Sequence, residues 1–449
     1  MDKNYDLIVI GSGSAGSTTA TKAVKEGLKV AMIDERPFGG TCALRGCDPK
    51  KVLIGVSEYA SGVERLKANG LNGDISIDWQ DLMAFKKKFT DAVPESIEKS
   101  LNDSGIDTYH GHATFVDHHT IQVDDSKLSG DKILIATGAS PTPLSIEGNQ
   151  HFTYSDDFLE LEQLPDNILF VGGGYISFEF AHLAARAGAN VQILHRSKRP
   201  LKNFDEELVN YLTDYSKNLG ITIHLETEVQ AIKKTDNGYV AVGKQADQQE
   251  EFEADMVVHG AGRTPNIADL GLENANIITD KYGVSVNEYL QSTSNPAIYA
   301  AGDVSSTGRK PLTPVAGAES HIAASNILKG NNRSLKDQVI PTAMFTLPKL
   351  TSVGVTEEEA TKKGLSYTVN SIDTTEWFTY SRTNQPVSFA KVLIHKKTDQ
   401  IIGAHLLSNQ ADELINHFAT AIQFNLTTSD LKKMLFAYPT TASDIVHFL

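Results

Sequence analysis

The 449-residue chain has two cysteines, Cys42 and Cys47, in the stretch Gly39-Gly40-Thr41-Cys42-Ala43-Leu44-Arg45-Gly46-Cys47-Asp48-Pro49-Lys50-Lys51. Two cysteines cannot close a four-ligand structural zinc site by themselves. They can form a disulfide across a short loop, and an exposed short loop makes that bond reducible rather than structural. The surrounding residue types suit redox work. Gly39 and Gly40 let the backbone pass close to a flat ligand. Thr41 is expected to cap a helix whose N-terminal field favours thiolate over thiol. Arg45, Lys50 and Lys51 add positive charge. Accidental proximity of the two cysteines is the bland alternative, and it leaves these neighbours unexplained.

Two further stretches could hold the partners of such chemistry. Tyr5 to Ile10 reads as a buried parallel strand and runs into Gly11-Ser12-Gly13-Ser14-Ala15-Gly16. A helix is expected from Ser17 to Glu26, then a strand from Lys29 to Ile33 ending at Asp34. Strand, GxGxxG, helix, strand and acid together form a dinucleotide fingerprint. The glycines admit a pyrophosphate to the helix N-terminus, and Asp34 is placed for a ribose hydroxyl. The rival reading is a glycine turn without ligand. The pattern recurs: Ile168 to Val171 leads into Gly172-Gly173-Gly174-Tyr175-Ile176-Ser177-Phe178-Glu179, a helix to Ala187 and a strand from Asn190 to Leu194. Two such units imply two dinucleotides. The second strand ends in His195-Arg196-Ser197-Lys198-Arg199-Pro200-Leu201-Lys202. An acid there would bind the ribose of NADH, whereas cations accommodate the 2′-phosphate of NADPH. A solvated basic loop is the alternative, but the chain carries a net charge of −15, which makes a local basic cluster informative.

That charge makes nucleic acid an unlikely partner. No apolar run reaches the roughly 18 residues needed to span a membrane. Met1-Asp2-Lys3-Asn4 leads into a strand without the regions of a signal peptide. A cytoplasmic protein is therefore expected, where a disulfide is usually catalytic. Helices are expected from Val52 to Ala68 and from Trp79 to Ser104. Short strands are expected near 106–110, 113–116 and 121–123, and an apolar strand from Lys132 to Thr137. His110, His112, His118 and His119 fall among these without cysteine or dense carboxylate partners, so hydrogen-bonded histidines are expected rather than a metal site. Beyond Gln338 the pattern becomes antiparallel, with strands near 343–345, 350–354, 367–372, 389–395 and 401–407 and helices from Ala411 to Phe424 and Thr428 to Met434.

The GGTCxxxGCxPKK stretch resembles the redox-active signature of the class I pyridine nucleotide-disulfide oxidoreductases, the flavoprotein family of glutathione reductase, dihydrolipoamide dehydrogenase and mercuric reductase. The resemblance implies an α/β fold with two Rossmann-like dinucleotide-binding domains and a C-terminal α+β dimerisation domain. The FAD-binding domain would comprise 1–142 and 263–336, the NAD(P)H-binding domain 143–262 and the interface domain 337–449. FAD contacts would come from Gly11, Gly13, Ser14, Ala15, Gly16, Asp34, Thr41, Lys50 and His112 of the GHATF stretch. Thr137 and Gly138 of IATG, Asp303, and Thr313 of Leu312-Thr313-Pro314-Val315-Ala316 would complete them. NADPH, in preference to NADH, would meet Gly172, Gly173, Gly174, Ile176, Arg196 and Lys202, with Gly262 in the return crossover. Tyr175 would guard the nicotinamide face. Lys50 and Glu179 match a family ion pair near the flavin. Cys47 would be the flavin-side sulfur and Cys42 the one facing substrate. The family is homodimeric, with the C-terminal segment of one chain reaching the cysteines of the other.

The chain departs from that family at its C-terminal end. Disulfide-reducing relatives carry His-Pro-Thr and a carboxylate five positions after the histidine. Here Tyr438 replaces the histidine, Ser443 the acid, and Asp444 lies one place further on. A tyrosine resembles mercuric reductase, but the chain ends His447-Phe448-Leu449 without that enzyme's cysteine pair. Glutathione-specific relatives place an arginine where this chain has His321. The expected activity is reduction of a small-molecule or protein disulfide in redox homeostasis, without glutathione specificity. The alternatives are reduction of a metal ion or quinone, and a dihydrolipoamide dehydrogenase-like subunit of a complex.

Overall fold

The computed structural model describes residues 3–246, 248–334 and 338–449; Met1, Asp2 and the expected 336/337 domain boundary lie outside these. The chain separates into two compact units.

The first unit comprises Met1–Lys50, Ala84–Thr142 and Gly262–Asp337. Its main sheet has the order Ile106–His110, Val30–Asp34, Lys3–Ile10, Ser126–Ile135, Thr120–Val123, Ala113–Phe115, with Ile298–Ala300 also paired to Ser126–Ile135. Tyr5-to-Ile10 is a nearly continuous apolar run because both faces of this strand are covered. Ile8 and Ile10 meet one core with Ile33, Ile133 and Ile135. Leu7 and Val9 meet the other with Met32, Leu134 and residues of the helices Ser14–Lys25 and Thr313–Lys329. Those two helices touch directly, where Thr19 donates to the Ser320 carbonyl at 3.2 Å. For its longer excursion, between Thr142 and Gly262, the chain leaves and re-enters this unit on a two-stranded antiparallel ribbon, Ala139–Pro141 against Arg263–Pro265.

The second unit comprises Lys51–Met83, Pro143–Ala261 and Gln338–Leu449. It holds a parallel sheet in the order Thr222–His224, Asn190–Leu194, Asn167–Val171, Met256–His259. Three antiparallel strands span 227–254, and a five-stranded antiparallel sheet follows in the order Thr342–Met344, Lys349–Gly354, Ile401–Ser408, Phe389–His395, Tyr367–Asp373. One core runs through it, from Phe158, Phe170, Phe178 and Phe180 to Met344, Leu350, Phe389 and Leu407. Lys391, almost fully buried, joins Asp205, Glu207 and Glu357 at 3.2, 3.2 and 2.7 Å.

Three sequence expectations change. The helix Ser14–Lys25 begins three residues before Ser17, directly at the glycine turn. The helix expected over 79–104 is two, Trp79–Thr90 and Val93–Asp103, because Pro94 fits only the first turn of a helix. The helix Glu206–Asn218, capped by Asp205 accepting from the Glu207 amide at 3.1 Å, was not anticipated.

Candidate active site

The short helix Gly40–Arg45 carries Cys42, and Gly46 separates it from the long helix Cys47–Leu66, which begins at the second cysteine. Thr41 therefore does not cap a helix. Gly39 takes the cap position at φ 129°, which a β-carbon would resist, and Thr41 lies inside the first turn. The N-terminal field falls on Cys47 instead, where it favours thiolate. Packing fixes the stretch beside the first glycine turn: a β-carbon on Gly40 would lie 2.4 Å from the Gly13 Cα.

The two sulfurs stand as free thiols, Cys42 half-buried and Cys47 exposed. The Thr313 hydroxyl, at the start of its helix, donates to Cys42 Sγ at 3.4 Å and lies 3.5 Å from Cys47 Sγ. The pair shares its protons unequally. The hydrogen bond from Cys42, followed by that of Thr313 and the charge of Lys50, lowers the Cys47 pKa to about 6 against the opposing effect of partial desolvation. The hydrogen bond to Cys47, with burial, pushes Cys42 well above the usual thiol range. The first proton leaves from the Cys47 side, which makes that sulfur the resident thiolate at neutral pH.

Asp34 ends its strand and accepts from the Ser12 amide at 2.8 Å, the Ser12 hydroxyl at 2.6 Å and the Arg36 amide at 2.9 Å. The Ser12 oxygen accepts in turn from the Gly39 amide at 3.0 Å, so one serine ties glycine turn, acid and cysteine stretch together. Asp303 is partly buried; burial raises its pKa, and Arg263 partly offsets this. Its turn is held by Glu319, which accepts from the Gly302 amide at 2.7 Å and the hydroxyls of Ser305 and Thr307 at 3.1 Å. Thr137 donates to the Asn266 carbonyl at 2.6 Å, and the Asn266 amide donates to Gly138 at 2.9 Å. Thr142 donates its amide to the Gly262 carbonyl at 3.0 Å, so Gly262 joins the same crossover. His112 uses both ring nitrogens, on Glu35 at 2.7 Å and the Asp269 carbonyl at 3.0 Å. His110 meets Glu98 at 2.8 Å and His119 the Gly130 carbonyl at 3.1 Å. Ser12, Arg263 and Glu319 were missed from sequence.

In the second unit, Gly172, Gly173 and Gly174 form the turn before the helix Tyr175–Arg186. Tyr175 is half exposed, Ile176 partly buried, and Glu179 buried with Oε1 accepting from the Phe345 amide at 2.7 Å. Arg196 and Lys202 are exposed. Arg199 is committed to Glu206 at 2.9 Å and Glu358 at 3.3 Å. Tyr438 is 83% exposed. Asp444 is half buried; burial raises its pKa, and a hydrogen bond from Thr379 partly offsets this.

Both fingerprint helices suit a pyrophosphate. Ser14–Lys25 and Tyr175–Arg186 begin after Gly13 and Gly174, which make no side-chain cap bond. Uncapped amides of this kind are donors for an anion.

Residues 5–320 match the pyridine nucleotide-disulphide oxidoreductase family, and 340–448 match its dimerisation domain. The chain belongs to the pyridine nucleotide-disulphide oxidoreductase family. As a member it is a flavin-dependent disulfide oxidoreductase, and membership implies FAD and a pyridine nucleotide. The dimerisation domain supports a homodimer. The chain is 33% identical to a glutathione reductase of Nostoc sp. over 99% of both chains, and 32% identical to a mercuric reductase of Staphylococcus aureus over 99% of this chain and 82% of that one. Among solved structures it resembles the HOCl-induced flavoprotein disulfide reductase RclA from Escherichia coli, at 27% identity, TM-score 0.87 and 98% of each chain. The Cu(II) complex of RclA aligns with TM-score 0.89, 27% identity, and 100% and 99% coverage. No helix among the described residues is long and apolar enough to cross a membrane.

Proposed function

We propose that this oxidoreductase takes its electrons from NADPH and spends them on an oxidant other than glutathione disulfide, through Cys42 and Cys47. The shared Thr313 hydroxyl between two thiols of opposite pKa shift supports the dithiol role. The exposed Arg196 and Lys202 after a strand that ends without an acid support NADPH, and Tyr438 and His321 in place of a histidine and an arginine support an oxidant other than glutathione disulfide. FAD, bound by residues 1–142 and 263–336, supplies the two-electron connection between nicotinamide and disulfide. Residues 143–262 hold NADPH, with Arg196 and Lys202 on its 2′-phosphate and Tyr175 over the nicotinamide side. Residues 337–449 form the interface. Reduction of the Cys42–Cys47 disulfide leaves Cys47 as the thiolate, held by Thr313 and by Lys50. Cys42 stays protonated until substrate arrives, then passes its proton to the adjacent Cys47 thiolate and attacks as the sulfur anion. Glu179 and Lys50 hold charge as electrons arrive. Tyr438 of the partner subunit donates the proton to the departing group. A phenol is a poor base at pH 7, with a pKa near 10, so substrates with acidic leaving groups are favoured. A cytoplasmic location fits the reducing role.

A metal ion is the second reading of the oxidant. It is favoured by the adjacent thiols and by the names of relatives, a mercuric reductase and RclA in a Cu(II) complex. Among the described residues no three metal-ligating side chains are gathered, so a metal would meet the sulfur pair as substrate. Anaerobic reduction with NADPH, followed by a panel of disulfides, Cu(II), Hg(II) and quinones, tests both readings. Reoxidation by glutathione disulfide as fast as by every other oxidant would overturn the proposal.

A further inference from the structure

The basic stretch after Asn190–Leu194 is fastened to the second glycine turn by a side chain that the fingerprint does not call for. His195 stands where an acid would bind the ribose of NADH. Its ring turns back instead: Nδ1 accepts from the Gly173 amide at 3.0 Å, and Nε2 donates to the Arg199 carbonyl at 2.9 Å. These two partners fix the neutral Nε2–H tautomer. The Gly173 carbonyl accepts from the Leu201 amide at 2.9 Å, so both polar groups of Gly173 are held by the same loop. The fit is close. A β-carbon on Gly173 would lie 2.7 Å from the His195 ring and 2.9 Å from the Pro200 Cβ. Burial, with Lys202 and Arg196 alongside, holds the His195 pKa below its ordinary 6.5, in keeping with a neutral ring. The two ends of the clipped loop carry the exposed Arg196 and Lys202, while Arg199 between them is tied to Glu206 and Glu358.

We propose that His195 is a positioning residue for nucleotide selectivity, clipping the 195–202 loop to the Gly173 peptide and so setting where Arg196 and Lys202 present charge to a 2′-phosphate. This rests on the NADPH reading above. The Gly173 amide is spent on the clip, which leaves the uncapped amides of the helix Tyr175–Arg186 for the pyrophosphate. The ring and an acid cannot occupy the same place, so the clip also removes the ribose-binding group that NADH would need.

The test measures binding of adenosine 2′,5′-bisphosphate and of AMP to the oxidised FAD-loaded dimer by calorimetry, together with KM and kcat for NADPH. His195→Ala should weaken bisphosphate binding about fivefold to tenfold, the effect of one hydrogen bond, and leave AMP binding unchanged. The kinetic loss should fall on KM for NADPH rather than on kcat. His195→Asn places an amide oxygen near the Nδ1 position and should recover part of the bisphosphate affinity. His195→Leu keeps bulk against Gly173 and Pro200, and replaces the alanine variant if that one loses FAD. Equal weakening of both probes, no weakening of either, or an asparagine variant no better than alanine or leucine overturns the proposal. A wild-type protein that binds AMP as tightly as the bisphosphate overturns the NADPH reading itself, and this outcome is visible before any variant is made.

Discussion

The protonation of the cysteine pair can be perturbed one partner at a time. The Cys42 thiol is the largest influence lowering the Cys47 pKa, followed among the lowering influences by Thr313 and then Lys50. A hydrogen bond to a charged group is worth about 1.5–3 kcal/mol, and one pKa unit is about 1.36 kcal/mol. Cys42→Ala should therefore move Cys47 upward by about one to two units. Starting from about 6, the thiolate fraction at pH 7 falls from about nine-tenths to roughly a quarter if the shift is about 1.5 units. Thr313→Val should move it less, and Lys50→Met least. The sign follows from a depressed pKa: thiolate is present above about pH 6 and is lost as pH falls through that value. Alkylation of the reduced protein, with peptide mass spectrometry to assign the sulfur, gives the rate at each pH from below 6 to above 9. A wild-type inflection at the ordinary thiol value of 9.0 would refute the argument. So would a Lys50 variant that shifts more than the Cys42 variant, since charge rather than hydrogen bonding would then dominate.

The remaining predictions address nucleotide, proton and partner. Arg196→Glu should lose NADPH affinity and spare NADH in steady-state kinetics; a wild type already faster with NADH at low concentration contradicts this. Tyr438→Phe should slow reoxidation while reduction by NADPH stays normal, which stopped-flow resolves; an unchanged second phase removes the tyrosine from the chemistry. In the Cys42→Ser protein, Cys47 should give a long-wavelength charge-transfer band against the flavin, and the Cys47→Ser protein should not; the reverse result swaps the two roles. Sedimentation at micromolar concentration should show twice the chain mass, and a persistent monomer would contradict the dimer.

What the sequence revealed follows from how local each signal is. The runs Tyr5 to Ile10 and Ile168 to Val171 announce buried parallel strands because both faces are covered, and the glycines that follow mark turns within the same dozen residues. Cys42 and Cys47 were legible by type and spacing. The hydroxyl they share was not, because Thr313 lies 266 positions beyond Cys47 and only the fold brings it there. Ser12 and Glu319 escaped for the same reason: their value lies in bonds to Asp34 and to the Asp303 turn, not in any pattern around them. Thr41 misled because the short helix starts at Gly40, two residues before the position that a cap at Thr41 would give. The helix Glu206–Asn218 lies between the basic loop 195–202 and the strands that begin at Thr222, and no sequence expectation covered it.

The shared core of the second unit has a further consequence for exchange of parts between proteins. Phe170 and Phe178, next to the second glycine turn, belong to one apolar cluster with Met344, Leu350 and Phe389 of the antiparallel sheet, and Lys391 of that sheet is held by Asp205 and Glu207. A boundary drawn along the sequence between residues 143–262 and 337–449 therefore cuts through a shared apolar core. A chimaera that imported only residues 143–262 would replace Asp205 and Glu207 beside the buried Lys391, together with half of the aromatic cluster, so a donor segment lacking acids at those two positions would strand the lysine. If the loop carrying Arg196 and Lys202 selects the nucleotide as proposed, cofactor preference is better transplanted there, because those exposed side chains can be exchanged without touching that core.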